Sequence, residues 1–415
     1  MEWADWRGSS LMILGMEAMH NGCFERAHSW LVQAYAFSLK GNDRVLPAIL
    51  GGLLSEVCIE LGELHQAAFY CQQMSTQPVH LLGTQDEKRG ALQHANATWG
   101  RIRLAYEWNQ TDQVEQLVRE ASIERSDGPF SSWEERAHVQ LGIGRLLALR
   151  LGGDNAGERA ALSALLADLA TTPRAFSFIN DVRLWQTRWY LWDGDLAGAE
   201  HTLALLAQSE RALSPLQEET LHLLHARLHL ARREAEAAFP LLEHSLSNAQ
   251  ARRHFARIVE IQLLIALAYA ARKQGQEARR QITLVLAQAC NEGFRRLFLD
   301  EGEPLAALLR QVLPILTEKP LRTYVQSLLS AFTNTPSSSY AKDGQTTEGL
   351  PLEPLSAQEQ RVLTLLVAGR SNPEIADILV ISVNTVKGHI KNLYRKLGVN
   401  NRMQASAVAR YVRLV

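Results

Sequence analysis

A turn phrase that returns about every 40 residues is the feature of this sequence that most restricts its fold. Each copy has an apolar stretch and a turn residue that is followed by an acid, and in four of the seven copies an alanine lies four or five positions after the turn, as in the segment 21–27. The turn positions are 22, 62, 109, 153, 194, 233 and 275. A unit of this length holds two helices and cannot bury its apolar face alone, so neighbouring units must stack.

The sequence over residues 1–332 therefore predicts an all-α solenoid of helix pairs. Alternating β-branched runs are missing there, which leaves no clear position for strands. The period is looser than the 34 residues of a strict tetratricopeptide repeat, so the solenoid is expected to be tetratricopeptide-like. Its concave groove is the expected place for an effector, either a small molecule or a protein.

Two groups of side chains fall at helical spacing within this region. The tryptophans are Trp185, Trp189 and Trp192. They are predicted to form inter-helix core, or else one wall of a ligand groove. The histidines are His222, His225 and His229. No second ligand cluster accompanies them, so the sequence favours partly exposed or hydrogen-bonded histidines over a metal site.

The composition argues against several classes of protein. Apolar residues make up 47% of the chain, and the net charge is −1. The four cysteines are scattered, with no CxxC spacing, so neither a disulfide framework nor a zinc site is expected. No uncharged apolar window approaches the length of a membrane span, and no signal peptide is visible. We therefore expect a cytoplasmic protein with no membrane partner.

The character of the chain changes after residue 332. Residues 333–351 are rich in Thr, Ser, Gly and Pro and predict a flexible linker. From Leu350 to Val415 there are nine Lys or Arg against four Asp or Glu, a net charge of +5 that leaves −6 for the rest. A compact basic end on an acidic chain suggests a polyanionic partner.

Residues 352–415 can be divided into four helices from local signals. Ser356–Glu359 and Ser371–Glu374 are capping boxes that start the first two helices, and Pro373 is tolerated in the first turn of the second. Ser382 is expected to cap the third helix, which runs to about Leu397, and Asn401 to cap the fourth. Two short capped helices joined by a tight turn predict a helix-turn-helix.

The third of these helices has two unlike faces. Its apolar stripe is Val383, Val386, Ile390, Leu393 and Leu397. Its polar face holds Asn384, Thr385, Lys387, Gly388, Lys391, Asn392 and Arg395. A helix buried on one side and cationic on the other fits the major groove of DNA, where Lys can donate to guanine O6 and N7.

These linked segments resemble the LuxR-type (GerE-like) DNA-binding domain. The matching segments are Leu355–Glu359, Ala368–Ala376, Ser382–His389 and Lys396–Val399. The resemblance implies a double-stranded DNA partner, a homodimer on that DNA, and RNA polymerase as a further candidate partner. Two departures stand out: Pro373 replaces a residue that is usually basic, and Gly388 removes a side chain from a base-facing position.

The same resemblance implies roles for individual residues. Lys387, Gly388 and Lys391 would face the bases. Asn384, Thr385 and Arg395 would approach phosphates, and Ser382 completes the predicted DNA-binding set. Met403, Ala407 and Tyr411, on the fourth helix, would form the dimer surface.

A second, weaker resemblance covers the solenoid. The segments Tyr106–Asn109 and Phe294–Gly302 look like parts of the large ATP-binding LuxR-type regulators of the maltose-regulon activator type. The sequence contains no GxxxxGK[ST] motif and no Gly-Lys dipeptide, so the ATPase domain is expected to be missing and no nucleotide cofactor is predicted.

The sequence thus predicts a DNA-binding transcription regulator with an effector-sensing solenoid. The alternative is a protein-interaction scaffold in which the tail serves only for dimerisation, which Gly388 and Pro373 favour. An enzyme is a poor fit, because no catalytic triad, carboxylate pair, phosphate loop or metal spacing is evident.

Overall fold

The computed structural model describes residues 2–40, 45–75, 98–121, 132–171, 178–209, 212–334, 357–367, 370–379 and 381–397. The regular structure within these ranges is helical, with no strand, as the all-α prediction requires. None of the helices in the part of the chain that the structure describes combines the length and apolar character that a membrane span needs. The chain divides into two compact units, residues 1–339 and 340–415, and each is described by itself.

The first unit is a succession of helices. They are α1 (Glu2–His20), α2 (Phe24–Ser38), α3 (Val45–Glu60), α4 (Leu64–Ser75), α5 (98–107), α6 (Thr111–Glu120), α7 (Ser132–Leu151), α8 (Asn155–Thr171), α9 (Ile179–Asp193), α10 (Leu196–Ala207), α11 (Pro215–Ala231), α12 (Ala235–Ala251), α13 (Phe255–Ala271), α14 (Gly275–Ala289), α15 (Arg296–Leu299), α16 (Gly302–Val312) and α17 (Lys319–Asn334). The second unit holds α18 (Ala357–Val367), α19 (Asn372–Leu379) and α20 (Val383–Leu397).

The helices of the first unit pack in consecutive pairs, and a left-handed residue ends the first helix of each pair. At the first turn, Gly22 donates to Met19 O (3.0 Å) and Cys23 donates to Ala18 O (2.8 Å). These are the two backbone bonds of a Schellman motif, which satisfies the free carbonyls at a helix end. The same pair of bonds closes the turns at Gly62, Asn109, Gly153, Gly194 and Arg233. Six of the seven predicted turn positions are therefore confirmed.

The seventh turn lies two residues earlier than predicted. Lys273 takes the left-handed conformation (φ +61°), while Gly275 is the first residue of α14. Arg253 adds a left-handed turn between α12 and α13 that the repeat pattern did not predict (φ +54°). Glycine is the residue type that adopts the left-handed conformation most readily. A sequence pattern therefore places the turn at a nearby glycine, even where a residue with a side chain adopts this conformation instead.

The fifth residue after the left-handed residue within each pair is buried against the partner helix. The apolar members of this set are Ala27, Ala67, Val114, Ala199, Ala238 and Ala278, all with no exposed surface. In the fourth pair the same position holds Glu158, which is only 2% exposed. We call this register position the seat. A small residue at the seat lets the two helices of a pair approach closely, as predicted for the alanines.

The first unit also closes on itself, because α13 packs against α3 as well as against its neighbours in the chain. The ring of Phe255, at the start of α13, lies on the turn between α3 and α4. A Cβ on Gly62 would fall 2.0 Å from Phe255 Cδ1, so only glycine fits there. The repeat pattern predicts contacts between successive pairs and did not predict this one.

The boundaries of the predicted linker can be compared with the helices in part. The helix α17 runs to Asn334 and so includes the first two residues of the predicted linker, Thr333 and Asn334. Residues 335–356, which include the rest of the predicted linker and Ser356, lie outside the described residues, as does the predicted fourth helix of the second unit.

Candidate nucleic-acid interface

Local hydrogen bonds fix the start of α19 in the second unit. The backbone N–H and the hydroxyl of Ser371 both donate to Glu374 Oε2, each at 2.7 Å. The hydrogen bonds from the Ser371 side chain and then its backbone lower the pKa of Glu374. Pro373 lies exposed in the first turn, where its missing N–H costs no helical bond. The predicted helix start is therefore confirmed.

The start of α20 is held by Ser382, as predicted. Its Oγ accepts from the backbone N–H of Thr385 at 3.1 Å and lies 2.8 Å from Thr385 Oγ1. The turn before it is closed by Ile381, whose N–H donates to Ala376 O at 3.0 Å. These bonds set the angle at which α20 leaves α19 and place its first turn at the surface.

The apolar stripe of α20 faces the core of the second unit. Val386 and Leu393 have no exposed surface, while Val383 and Ile390 are partly buried against the same core. Their neighbours in this core are Val362, Leu363, Leu366, Ile375 and Ala376, from α18 and α19. The side chain of Leu397 lies outside the described residues. Burial of this stripe fixes which face of α20 points outward.

The opposite face of α20 is exposed. Its described members are Thr385, Lys387, Gly388, Lys391 and Asn392, and Ser382, just before the helix, is exposed as well. A Cβ built on Gly388 finds no heavy atom within 4 Å, so open space surrounds this position. Lys387 and Lys391 are one helical turn apart, about 6 Å along the axis. That distance is close to two base-pair steps of DNA.

Part of the predicted DNA-binding set cannot be compared with the structure. The side chains of Asn384 and Arg395 lie outside the described residues. So do Met403, Ala407 and Tyr411, the predicted dimer surface.

The first unit contains a group of ion pairs between buried and partly buried side chains. They link the odd-numbered helices α3, α5, α7, α9, α11 and α13 to one another and to the segment after α15. The pairs are Arg136–Glu56 (3.0 Å), Arg103–Glu60 (2.8 Å), Arg188–Glu260 (2.9 Å), Arg257–Glu260 (2.6 Å), Arg257–Glu219 (3.2 Å), Arg227–Glu260 (3.1 Å) and Arg227–Glu301. Buried charges are tolerated only when paired, so these pairs hold the helices in one arrangement.

His254 lies at the centre of the closure between α13 and α3. It has no exposed surface, and its Nε2 is 2.8 Å from Glu60 Oε2, while Nδ1 is 3.7 Å from Glu219 Oε1. Burial raises the pKa of Glu60, but Arg103 and the hydrogen bond with His254 outweigh it and hold that pKa well below its usual range. The Glu60 carboxyl therefore stays ionised, and its contact with His254 joins α3 to the start of α13.

The two segments that carried the second resemblance meet in space. The Tyr106 hydroxyl donates to Asp300 Oδ2 at 2.9 Å, and Arg296 pairs with the same carboxylate at 2.7 Å. The backbone N–H of Arg295 donates to Glu107 O at 2.9 Å. Burial and then Asp300 raise the pKa of Glu107 to about 7. Residues almost 200 positions apart thus form one buried polar cluster.

A cleft of about 520 Å³ opens at the closure. Its walls come from the first two helix pairs on one side and from the α12–α13 region on the other. The lining residues are Glu25, His28, Leu61, Glu63, Gln66, Gln250, Arg253, Phe255 and Ile258. The sequence pattern did not predict this cleft, because its walls lie some 200 residues apart along the chain.

The tryptophan group behaves mainly as predicted. Trp189 is 3% exposed and belongs to the core of α5 to α9, and its ring centroid lies 5.4 Å from that of Trp185 and 6.0 Å from that of Trp192. Trp189 also lines a second cavity, of about 110 Å³. The predicted role in the inter-helix core is therefore confirmed for this residue.

The three histidines make separate contacts. His229 Nδ1 lies 2.8 Å from Glu234 Oε2, and the His222 ring lies 5.9 Å from that of His244. Burial, then His229 and His222, lower the pKa of His225. No group of three or more His, Cys, Asp or Glu within the described ranges is placed to share a metal ion.

A helical-repeat unit followed by a capped helix-turn-helix with a cationic outer face defines a class of protein, the DNA-binding transcription regulators. Residues 353–409 match the bacterial regulatory proteins of the luxR family, and residues 2–314 match the MalT-like TPR region. Because the second match covers more than half of the chain, this protein belongs to the MalT-like TPR family and carries a luxR-family DNA-binding domain. Both resemblances seen in the sequence are confirmed.

Proposed function

We propose that this protein is a sequence-specific regulator of transcription that reads the major groove with α20. The observation that supports this most directly is the outer face of that helix. Lys387, Gly388 and Lys391 are exposed on it, while Val386 and Leu393, on the opposite side, have no exposed surface. A helix anchored by its apolar side presents its polar side in a fixed orientation, which base readout requires.

The individual roles follow from position on the helix. Lys387 and Lys391 donate to guanine O6 and N7, and Gly388 between them allows close approach of the helix to the base edges. Ser382 and Thr385, at the start of α20, contact phosphates together with Asn384 and Arg395. Phosphate contacts set the register, and base contacts set the sequence preference.

The wider scheme is part of the same proposal. A homodimer formed through Met403, Ala407 and Tyr411 binds two half-sites on DNA, in the cytoplasm, where RNA polymerase is a further partner. The first unit senses an effector, for which the cleft of about 520 Å³ at the closure is our candidate site. Binding there would bridge the two ends of the unit and so change how firmly it is closed. We assign the chain no catalytic activity.

The test is DNA binding by the full chain, first on genomic fragments selected by the wild type and then by fluorescence anisotropy on the recovered operator. The double variant Lys387→Ala/Lys391→Ala should lose specific binding, because each base contact is worth about 1–3 kcal/mol. The loss should be tenfold or more.

A charge-matched control comes from the first unit. Lys319 and Arg322 are exposed on α17, so Lys319→Ala/Arg322→Ala removes the same charge far along the chain from α20. It should bind the operator as the wild type does. Equal affinity of both double variants and the wild type would contradict the proposal and favour the scaffold alternative.

A further inference from the structure

One exposed side chain on the outer face of α20 has no role in the proposed DNA contacts. Asn392 is exposed, although Leu393, the next residue, has no exposed surface. Asparagine inside a helix is less favourable than alanine, because its side chain competes for backbone hydrogen bonds in non-helical conformations. The stability of α20 therefore does not account for Asn392.

Asn392 lies in a row of its own beside the two lysines. Lys387 and Lys391 form one row, four residues apart, and Gly388 and Asn392 form the neighbouring row at the same spacing. Residues four apart lie above one another on one face of a helix. The two rows therefore run side by side along the outer face of α20, and a groove that receives one row also receives the other.

The space around Gly388 is open. A Cβ built there finds no heavy atom within 4 Å, so no packing within the second unit requires glycine at this position. Glycine also makes a helix interior less stable than alanine does. What the missing side chain does provide is close approach, because the backbone of α20 can come nearer to any surface that lies against this face.

Close approach matters more for Asn392 than for the lysines. Four methylene groups separate the amine of a lysine from its Cα, whereas one separates the amide of an asparagine. A lysine can reach a base edge from a helix that stays further away, and an asparagine cannot. Gly388, one turn before Asn392, removes the side chain that would hold the helix away from the bases.

The amide of Asn392 matches one base. Adenine presents the N6 amino group and the N7 acceptor in the major groove, and an asparagine amide can accept from the first and donate to the second at once. At the start of α20 the hydroxyls of Ser382 and Thr385 bond to each other at 2.8 Å. No hydrogen bond within the described ranges engages the Asn392 amide, so both of its groups can face the base.

We propose that Asn392 reads an adenine beside the guanines that Lys387 and Lys391 contact, and that Gly388 makes this contact possible by admitting the helix close to the base edges. The inference rests on the proposed function, since it requires α20 to lie in the major groove. It adds a statement about the operator: each half-site contains an A·T base pair that the lysines do not read but that binding requires.

The test changes single atoms of the DNA. In the operator recovered with the wild type, each adenine of a half-site is exchanged in turn for 7-deazaadenine, which pairs with thymine but lacks the N7 acceptor. The wild type should bind at least about fivefold more weakly when one particular adenine is exchanged. Asn392→Ala should be insensitive to that exchange. A wild type that is insensitive at every adenine, or an Asn392→Ala variant that responds as the wild type does, would overturn the proposal.

Two controls separate base reading from other effects. Gln326 is an exposed amide on α17, so Gln326→Ala removes the same kind of group from the first unit and should keep the wild-type response to 7-deazaadenine. Asn392→Ala should also unfold at no lower temperature than the wild type, because alanine is the better helix former. A clear loss of thermal stability would mean that Asn392 serves the fold, and the proposal would fail.

The variant Gly388→Leu tests the close approach. Its side chain enters open space and should reduce the response to 7-deazaadenine to that of Asn392→Ala, and combining the two substitutions should reduce it no further. A full wild-type response in Gly388→Leu would refute the role of Gly388.

Failure of this inference can be told from failure of the proposed function. Specific binding that depends on Lys387 and Lys391 but is insensitive to every adenine exchange would refute the role of Asn392 alone. Absence of specific binding by the wild type would refute the proposed function and this inference with it.

Discussion

Replacing Gly388 with alanine should stabilise α20 by about 0.5–1 kcal/mol. Gly388 lies within α20 (Val383–Leu397), where glycine is less favourable than alanine by about that amount. A Cβ at this position has no heavy atom within 4 Å, so no steric cost opposes the gain. The prediction thus depends on the outer face of α20 being free.

Hydrogen exchange followed by mass spectrometry on the full chain measures this change locally. An opening that costs 0.5–1 kcal/mol more is populated about two- to fivefold less, so peptides from residues 383–397 should exchange more slowly by that factor. Leu393→Ala is the control of opposite sign in the same helix. Leu393 has no exposed surface, and its truncation should cost about 2–5 kcal/mol and speed exchange. Faster exchange in Gly388→Ala than in the wild type would mean that other atoms pack on position 388, and the reasoning would fail.

Two further predictions concern the first unit. Gly62 and Gly194 have nearly the same φ (+76° and +75°), but a Cβ on Gly62 meets the Phe255 ring and one on Gly194 meets nothing within 4 Å. Gly194→Ala should therefore lower the free energy of unfolding only by the backbone strain, about 1–2 kcal/mol. Gly62→Ala should lower it clearly more, as measured by thermal unfolding. Equal losses of stability in the two variants would argue against the contact between Phe255 and the turn at Gly62. Glu107 has a folded pKa of about 7, above its value of 4.5 in the unfolded chain, so the stability linked to it is full below pH 4.5 and lost as pH rises through 7. Glu107→Gln should remove this pH-dependent loss of stability. It should raise the free energy of unfolding at pH 8 by up to about 3 kcal/mol and change it little at pH 4.5, as measured by thermal unfolding followed by circular dichroism. A pH profile of stability like that of the wild type would contradict this assignment.

The parts of the fold that were predictable from the sequence are those set by nearby residues. The turns at Gly22, Gly62 and Gly194 follow from one residue type at one position, and the start of α20 follows from Ser382 and the stripe after it. Helix pairs of this kind repeat because each depends on contacts within itself and with its neighbours. The outer face of α20 was predictable for the same reason, because nearby residues in the sequence determine it.

The parts of the fold that the sequence did not predict depend on contacts between residues far apart in the chain. His254 and Glu60 are 194 positions apart, and Arg188 and Glu260 are 72 apart. No spacing rule links such residues, so neither these ion pairs nor the cleft of the first unit could be predicted from the sequence. Glu158 was visible in the sequence, but only the burial of the other seats shows that it is unusual.

Methylation interference on the operator can show whether α20 lies in the major groove with Lys387 and Lys391 against guanine edges, as we propose. DNA fragments carrying the operator are methylated at guanine N7, incubated with the full chain, and separated into bound and free fractions. The wild type should be excluded from fragments methylated at particular guanines in each half-site, and Lys387→Ala should become insensitive to one of them. Wild-type binding that is insensitive to N7 methylation, or the same interference pattern in Lys387→Ala, would mean that these lysines do not contact guanine edges.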